Sequence, residues 1–394
     1  MRRDIGTDDP RVRVRAGKSS RPRTKKRPDW SQQPRGRVVA IDRGRYRVVL
    51  DDTTDHKAAG SPHSANSQAL SRGSTMGTQV QAVRAKELGR GSIIMGDWVR
   101  VTGDVSGRHD TLARIVAVDE RSSVLRRSLE DVPDQRGEKA IVANAQVMCI
   151  VVALADPPPR MGMIDRCLVA AYEAGLEPIL CLTKSDLASP APLIDAYSHF
   201  DIPIVVTHLG NEDNAGNEDE ATSSGFQAGD GSGDVDHLRQ QLTGRFCVLV
   251  GHSGVGKSTL INALVPQANR AVGAVNTVTG RGRHTSTSSE AFMLDGGGWI
   301  VDTPGVRSFG LGHVTVDDVL GVYPDVAQAA SWCLPLCSHV ESEPSCALDA
   351  WRLGTDPFEV DDAATLKYRS HRVHAVRRLL DAVATADAAS KAAR

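Results

Sequence analysis

The sequence predicts a multidomain protein: an N-terminal OB-type β-barrel, a central α/β domain with a parallel sheet, and a C-terminal mainly helical domain built on a metal site. Three patterns predict it. Between Gly36 and Arg126 short segments rich in Val, Ile and Arg alternate apolar and polar residues; from Ala145 continuous apolar runs alternate with helically spaced segments; beyond Thr315 a Cys/His cluster interrupts a helical stretch. At 394 residues the chain exceeds one ordinary domain. Its longest apolar run, Val147 to Ala155, is about half of what a membrane helix needs, and no apolar segment follows the basic N-terminus as in a signal peptide. We therefore expect a soluble, cytoplasmic protein without membrane contact. Seven cysteines without framework spacing argue against disulfides and direct attention to clustered thiols as metal ligands.

The elements follow in order. Residues 1–35 read as a basic disordered arm: Met1 to Arg37 carries 13 Lys/Arg against four Asp, a surplus that can neutralise nucleic-acid phosphate or serve as a solubilising tail. Residues 36–128 read as the barrel, with "GRVVAIDRGRYRVVL", "TQVQAVRA", "GDWVRVTG" and "TLARIVAVDERSSVLRR" as its strands and a Ser/Gly/His-rich insertion at 51–78. Periodicity alone does not separate an OB barrel from another small β-domain. Residues 140–314 read as the α/β domain. "AQVMCIVVALAD", "EPILCLTKSD" and "IPIVVTH" are buried strands, with helices over Met161 to Ala174 and Pro190 to Phe200 between them. Asn211 to Asp236, with eight acids and no Lys/Arg, reads as a solvated loop within this domain. Residues 315–394 read as the helical domain, its Ala-rich end beyond Asp381 frayed.

"RFCVLVGHSGVGKSTLINALV" is a strand, a glycine-rich turn and a helix, and Gly251-His252-Ser253-Gly254-Val255-Gly256-Lys257-Ser258 completes GxxxxGK[ST], followed by Thr259. Glycines let successive N–H groups point inward around phosphates, Lys257 reaches the β/γ-phosphates, and the Ser258 hydroxyl suits Mg²⁺. Asp302-Thr-Pro-Gly305, about fifty residues on, suits a magnesium shell and a γ-phosphate contact. Thr183-Lys184-Ser185-Asp186 ends an apolar strand. A carboxylate there accepts from guanine N1–H and N2–H₂, a donor pair that adenine lacks, so Asp186 selects GTP. The base motif precedes the phosphate loop, whereas in ordinary GTPases it follows; the domain is circularly permuted.

Cys333-x3-Cys337-x-His339-x6-Cys346 supplies three thiolates and an imidazole, the set for one closed structural Zn²⁺ site. The other cysteines, Cys149, Cys167, Cys181 and Cys247, fall on expected strands or a helix and read as core.

The permuted order, with a β-domain before it and a Cys/His cluster behind, closely resembles the circularly permuted, small ribosomal subunit-dependent GTPases of bacteria, the RsgA family, over roughly Gly36 to Leu380. Gly280-Arg-Gly-Arg-His284-Thr285-Ser286 looks like that family's switch I, and Thr303-Pro-Gly305-Val306-Arg307 like its "PGVR" segment. Thr183 stands where the family has Asn, and Ser286 where it has a second Thr. The first cysteine gap is shorter, and the last longer, by one residue. The resemblance implies GTP hydrolysis to GDP late in small-subunit maturation, stimulated by the subunit, with rRNA as partner. The alternative is an rRNA-binding assembly module that holds GTP as a static ligand. Val306 occupies the place of the usual water-orienting Gln, so His284 becomes the candidate to position water. Lys257 and Thr285 complete the expected catalytic set, and Thr285 joins Ser258 as an expected Mg²⁺ ligand. Nothing in the sequence signals oligomerisation, and we expect a monomer.

Overall fold

The computed structural model describes residues 29–51, 77–89, 91–128, 138–208, 232–268, 289–302, 309, 311 and 314–392. The arm up to residue 28, most of the 51–78 insertion, the acidic stretch through residue 231, the segment Gly280 to Ser286, and Gly305, Val306 and Arg307 lie outside the described residues. The chain divides into two compact units, Met1–Gln32 and Gln33–Arg394. All that follows concerns the second.

Five strands form the barrel: β1 (Arg35–Asp42), β2 (Arg45–Leu50), β3 (Gln79–Arg84), β4 (Trp98–Gly103) and β5 (Ala113–Val118). β1 and β2 join through Arg43-Gly44, both at positive φ as a tight hairpin turn requires. The order β1-β2-β3-β5-β4 closes on itself because β4 also pairs with β1, and β3 runs parallel to β5, the connectivity of an OB-like barrel. Alternation places Val38, Val48, Val80, Val99, Val101 and Ile115 inside, where all are buried. The segment Thr111 to Arg127, read as one strand, is two. After β5 the chain turns as Asp119 accepts from Arg35 and Arg100, and Arg121 reaches back to the buried Asp97. It then enters β6 (Val124–Ser128), which pairs with β7 (Glu138–Ala143) in a separate ribbon.

The α/β half of the same 11-stranded sheet comprises β8 (Val147–Ala153), β9 (Glu177–Thr183), β10 (Ile204–Val206), β11 (Phe246–Val250), β12 (Ser289–Met293) and β13 (Trp299–Asp302), in the order β10-β9-β8-β11-β13-β12. All pairs are parallel except β12–β13. β8 is buried along its whole length because helices cover both faces. Met148, Ile150 and Val152 pack with α1 (Met161–Glu173) and α8 (Ala363–Ala392); Cys149, Val151 and Ala153 pack with α3 (Ser232–Leu242) and α4 (Lys257–Leu264). α2 (Ala191–Tyr197) and a 3-10 turn over Ser198–Phe200 occupy the span expected as one helix. The acidic loop was expected to reach Asp236, yet α3 begins at Ser232. Val235, Leu238 and Leu242 recur at helical spacing, are buried against the sheet, and carry Asp236 into the helix, where it pairs with Arg239.

β12 also pairs with β1 of the barrel, at Ala40↔Glu290, and Arg47 of β2 meets Glu290 at 2.7 Å. Arg37 lies 4.5 Å from the Trp98 ring and 4.2 Å from that of Phe246, bridging barrel and sheet through cation–π contact. Burial, with Arg35 nearby, pushes its guanidinium down to about 10.

Beyond Thr315, which caps α5 (Val316–Gly321) through a capping box with Asp318, come α6 (Pro324–Ala330) and α7 (Ala347–Leu353). α8 runs unbroken to Ala392 rather than fraying beyond Asp381. Among the described residues no helix is long and apolar enough to cross a membrane.

Candidate nucleotide site and Cys/His centre

Gly251 to Gly256 carry the chain from β11 to α4 at the C-terminal edge of the sheet, the edge where open parallel sheets hold ligands. Backbone approach, rather than side chains, shapes the turn. A Cβ on Gly251 would sit 2.4 Å from the Val151 carbonyl oxygen of the neighbouring strand, and Gly256 enters α4 with φ +90°. The Lys257 ammonium folds back over the loop, donating to the carbonyls of Gly251 (2.5 Å) and His252 (2.6 Å). Burial pulls its pKa down, and the nearby Asp302 carboxylate opposes that shift. Asp302 is buried at the end of β13, one strand over from the loop. Ser258 and Thr259 lie in the first turn of α4, half-buried; Ser253 is at the exposed tip, with His252 and Val255 on either side.

The base motif arrives from the other side of the same edge. Thr183, last residue of β9, is buried, and its hydroxyl donates to the Val255 carbonyl at 2.7 Å. A side chain shorter than Asn therefore still ties this motif to the phosphate loop. Lys184 adopts φ +60° and its ammonium donates to the carbonyl of Asp156, three residues beyond β8. Ser185 donates to the Thr207 carbonyl at 3.4 Å, and Asp186 Oδ1 lies 3.3 Å from His208 Nδ1. The structure thus brings together Thr183 to Asp186, Gly251 to Thr259 and Asp302. His284, Thr285 and Gly305 fall outside the described residues. Sequence reasoning passed over His208 and Asp156. The available signal was that each lies within three residues of a strand end at the sheet edge where the motifs meet.

These residues fit a nucleotide: a glycine turn too close to β8 for side chains, a buried ammonium, a hydroxyl at a helix start, and an exposed carboxylate where a base would lie.

In the Cys/His centre, the ligand atoms of Cys333, Cys337, His339 and Cys346 all lie within 4.8 Å of one another. Cys333 Sγ is 3.9 Å from Cys346 Sγ and 3.5 Å from His339 Nδ1, and Cys346 Sγ is 3.7 Å from that same nitrogen. Tetrahedral zinc with Zn–S of about 2.3 Å sets its ligand atoms about 3.8 Å apart, close to the spacing of Cys333, His339 and Cys346, so this set can hold a metal ion. Burial raises the Cys346 thiol to about 12 and Cys333 in the same direction, and lowers His339. A divalent cation reverses that balance at sulfur. Outside the ligands, the Arg377 Nε–H donates to the His339 carbonyl, and its two terminal nitrogens grip Asp349 at 3.0 and 2.9 Å.

Comparison with known proteins adds identity to this geometry. The family described as RsgA GTPase matches residues 118–312. The small ribosomal subunit biogenesis GTPase RsgA of Pseudomonas fluorescens (strain SBW25) is 38% identical over 244 residues, which are 59% of this chain and 63% of that protein. Its counterpart in Pseudomonas aeruginosa (strain LESB58) is 38% identical over 224 residues, 55% and 60% of the two chains. The matches span less than two thirds of these relatives' own length. In fold, the chain is similar to YjeQ from Thermotoga maritima (TM-score 0.54, 21% identity, 87% of this chain and 98% of that one). It is also similar to YloQ, a circularly permuted GTPase (TM-score 0.52, 19% identity, 89% and 96%). Over residues 118–312 the chain is similar to the RsgA GTPase family.

Proposed function

We propose that this protein hydrolyses GTP to GDP and phosphate in the cytoplasm, as a monomer acting on the maturing small ribosomal subunit. The observation that carries the reading is the convergence of Thr183–Asp186 with Gly251–Ser258 at one sheet edge, joined by the Thr183–Val255 hydrogen bond, although the two motifs stand in permuted order. Asp186 would select guanine and Lys257 would meet the phosphates. Ser258 and Thr285 would hold Mg²⁺, which supplies charge neutralisation at the β/γ-phosphates. His284 would position the attacking water, since Val306 cannot. The relatives named as small ribosomal subunit biogenesis GTPases support the choice of partner. The arginine-rich barrel and basic arm would grip rRNA phosphate, and Cys333, Cys337, His339 and Cys346 would hold one structural zinc.

The test is steady-state GTP and ATP turnover of the full chain with and without isolated small subunits, at two salt concentrations. The expected result is stimulation by the subunit, with GTP only, weakening as salt rises. Subunit binding without stimulation would favour the static RNA-binding module. ATP turnover would overturn the reading of Asp186.

A further inference from the structure

We infer that His208 is a positioning residue for base selection: its imidazole holds the Asp186 carboxylate in the orientation that guanine requires. The inference rests on the guanine reading of Asp186 and concerns how that carboxylate is held.

β9 and β10 run side by side, Leu182 opposite Val206, so the three residues after β9 and the two after β10 emerge together at the nucleotide edge. Two hydrogen bonds hold these ends in register: the Thr207 N–H donates to the Leu182 carbonyl at 2.7 Å, and the Ser185 hydroxyl to the Thr207 carbonyl at 3.4 Å. On that frame His208 Nδ1 stands 3.3 Å from Asp186 Oδ1, with both side chains a little over one third exposed, open to a ligand yet in contact with each other.

The chemistry gives this contact a consequence. A carboxylate turns easily about its last torsion, which has broad minima rather than sharp rotamers. Guanine presents two parallel donors, N1–H and N2–H₂, and binds both only when the carboxylate plane lies in the plane of the base. An ionised carboxylate offers about four lone-pair sites, so one can be given to His208 while two face the base. With its proton on Nδ1, His208 can donate to Oδ1 across this 3.3 Å contact and hold the plane, which selects that tautomer. Hypoxanthine has N1–H but no N2 amine, so it asks for a single bond and tolerates a turned carboxylate.

The experiment compares full-length wild type, His208→Ala, His208→Asn and Asp186→Asn for affinity to GDP, IDP, XDP and ADP, with melting temperature as a fold control. Asn carries an amide nitrogen on Cγ, where His carries Nδ1, and can restore the donor. His208→Ala is expected to weaken GDP about fivefold, the worth of one modest hydrogen bond, and IDP by less than twofold, with ADP unchanged; His208→Asn recovers most of the GDP loss. Equal loss of GDP, IDP and ADP, no loss at all, or failure of Asn to rescue would overturn the assignment. Asp186→Asn separates the two layers, because it should move preference from GDP to XDP whether or not His208 matters. Unmoved preference there would defeat the guanine reading itself, and this inference with it.

Discussion

The Thr183 hydroxyl donates to the Val255 carbonyl at 2.7 Å, joining the end of β9 to the phosphate loop between β11 and α4. The two residues are 72 positions apart in the chain. Thr183 is buried and lies beside Gly256, where an added Cβ would meet its side chain at ordinary van der Waals distance. Thr183→Val keeps the shape, removes the donor, and leaves a buried carbonyl with one fewer partner. We expect a loss of about 1 kcal/mol, read as a roughly fivefold weaker affinity for both GDP and ADP, because the loop rather than the base is disturbed. Fluorescent-nucleotide titration checks it. An unchanged affinity would mean that the loop holds its shape without the strut.

How far the sequence foretold this site depends on where each contact is encoded. The phosphate loop was legible because all its parts lie within eight consecutive residues between an apolar strand and a helix, and β8 because nine successive apolar residues admit little else. Contacts between strand ends were not legible. His208 meets Asp186 across 22 residues, and nothing in "IPIVVTH" marks the last residue as the partner of a carboxylate on the next strand. The Thr183 departure from Asn suggested a shortened contact; the close approach of β9 to the loop, visible only in three dimensions, lets the hydroxyl reach. β12 escaped notice because "SEAFM" is short and mixed, and one of its two pairing partners, β1, comes from the far N-terminal barrel. α3 was hidden by acidic residues around a buried stripe of only three apolar side chains.

The C-terminal helix is fastened by a partly buried ion pair. Arg378 Nη2 lies 2.6 Å from Asp165 Oδ1 on α1, Nη1 donates to the Ala196 carbonyl, and the Tyr197 hydroxyl donates to that same Asp165 oxygen at 2.8 Å. The guanidinium also lies 4.6 Å from the Tyr197 ring. Arg378→Met leaves the Asp165 charge without its cation, so a loss of about 3 kcal/mol is expected, seen as a lower midpoint in urea. Adding Asp165→Asn should return part of that loss. If the single variant unfolds at the wild-type midpoint, this ion pair adds nothing to the hold on α8.

A second fastening on α8 responds to acid. The His199 ring stacks on His371 at 4.1 Å and meets His374 edge-on at 5.5 Å. Burial, then His371 and His374, lower the His199 pKa below its ordinary 6.5; Arg378 adds to this and Asp195 opposes it. The folded protein therefore binds fewer protons here than the unfolded chain does at pH values just below 6.5. By linkage the stabilisation is complete above that value and is lost as pH falls through the window beneath it. Melting temperature should decline between pH 7 and pH 5, and His199→Asn should flatten part of that slope. An identical slope in the variant would assign the acid response to other groups.

The Cys/His centre governs α7 more directly than it does the nucleotide site. Cys333 Sγ accepts from the Ala347 N–H at 3.2 Å, the first residue of that helix, and Cys346 is its N-cap. A metal ion that keeps Cys333 as thiolate strengthens this bond and places negative charge at the positive end of the helix. From there Asp349, in the first turn, is held by Arg377 of α8. Chelation should release about one zinc per chain, faster in mild acid because protons compete for the thiolates. Hydrogen exchange should then rise over Ala347–Leu353, while GDP affinity stays within about twofold, because none of the described phosphate-loop contacts passes through the cluster. Cys346→Ser should reproduce the exchange pattern without chelator. Parallel loss of GDP binding would show instead that the metal supports the whole of the Gln33–Arg394 unit.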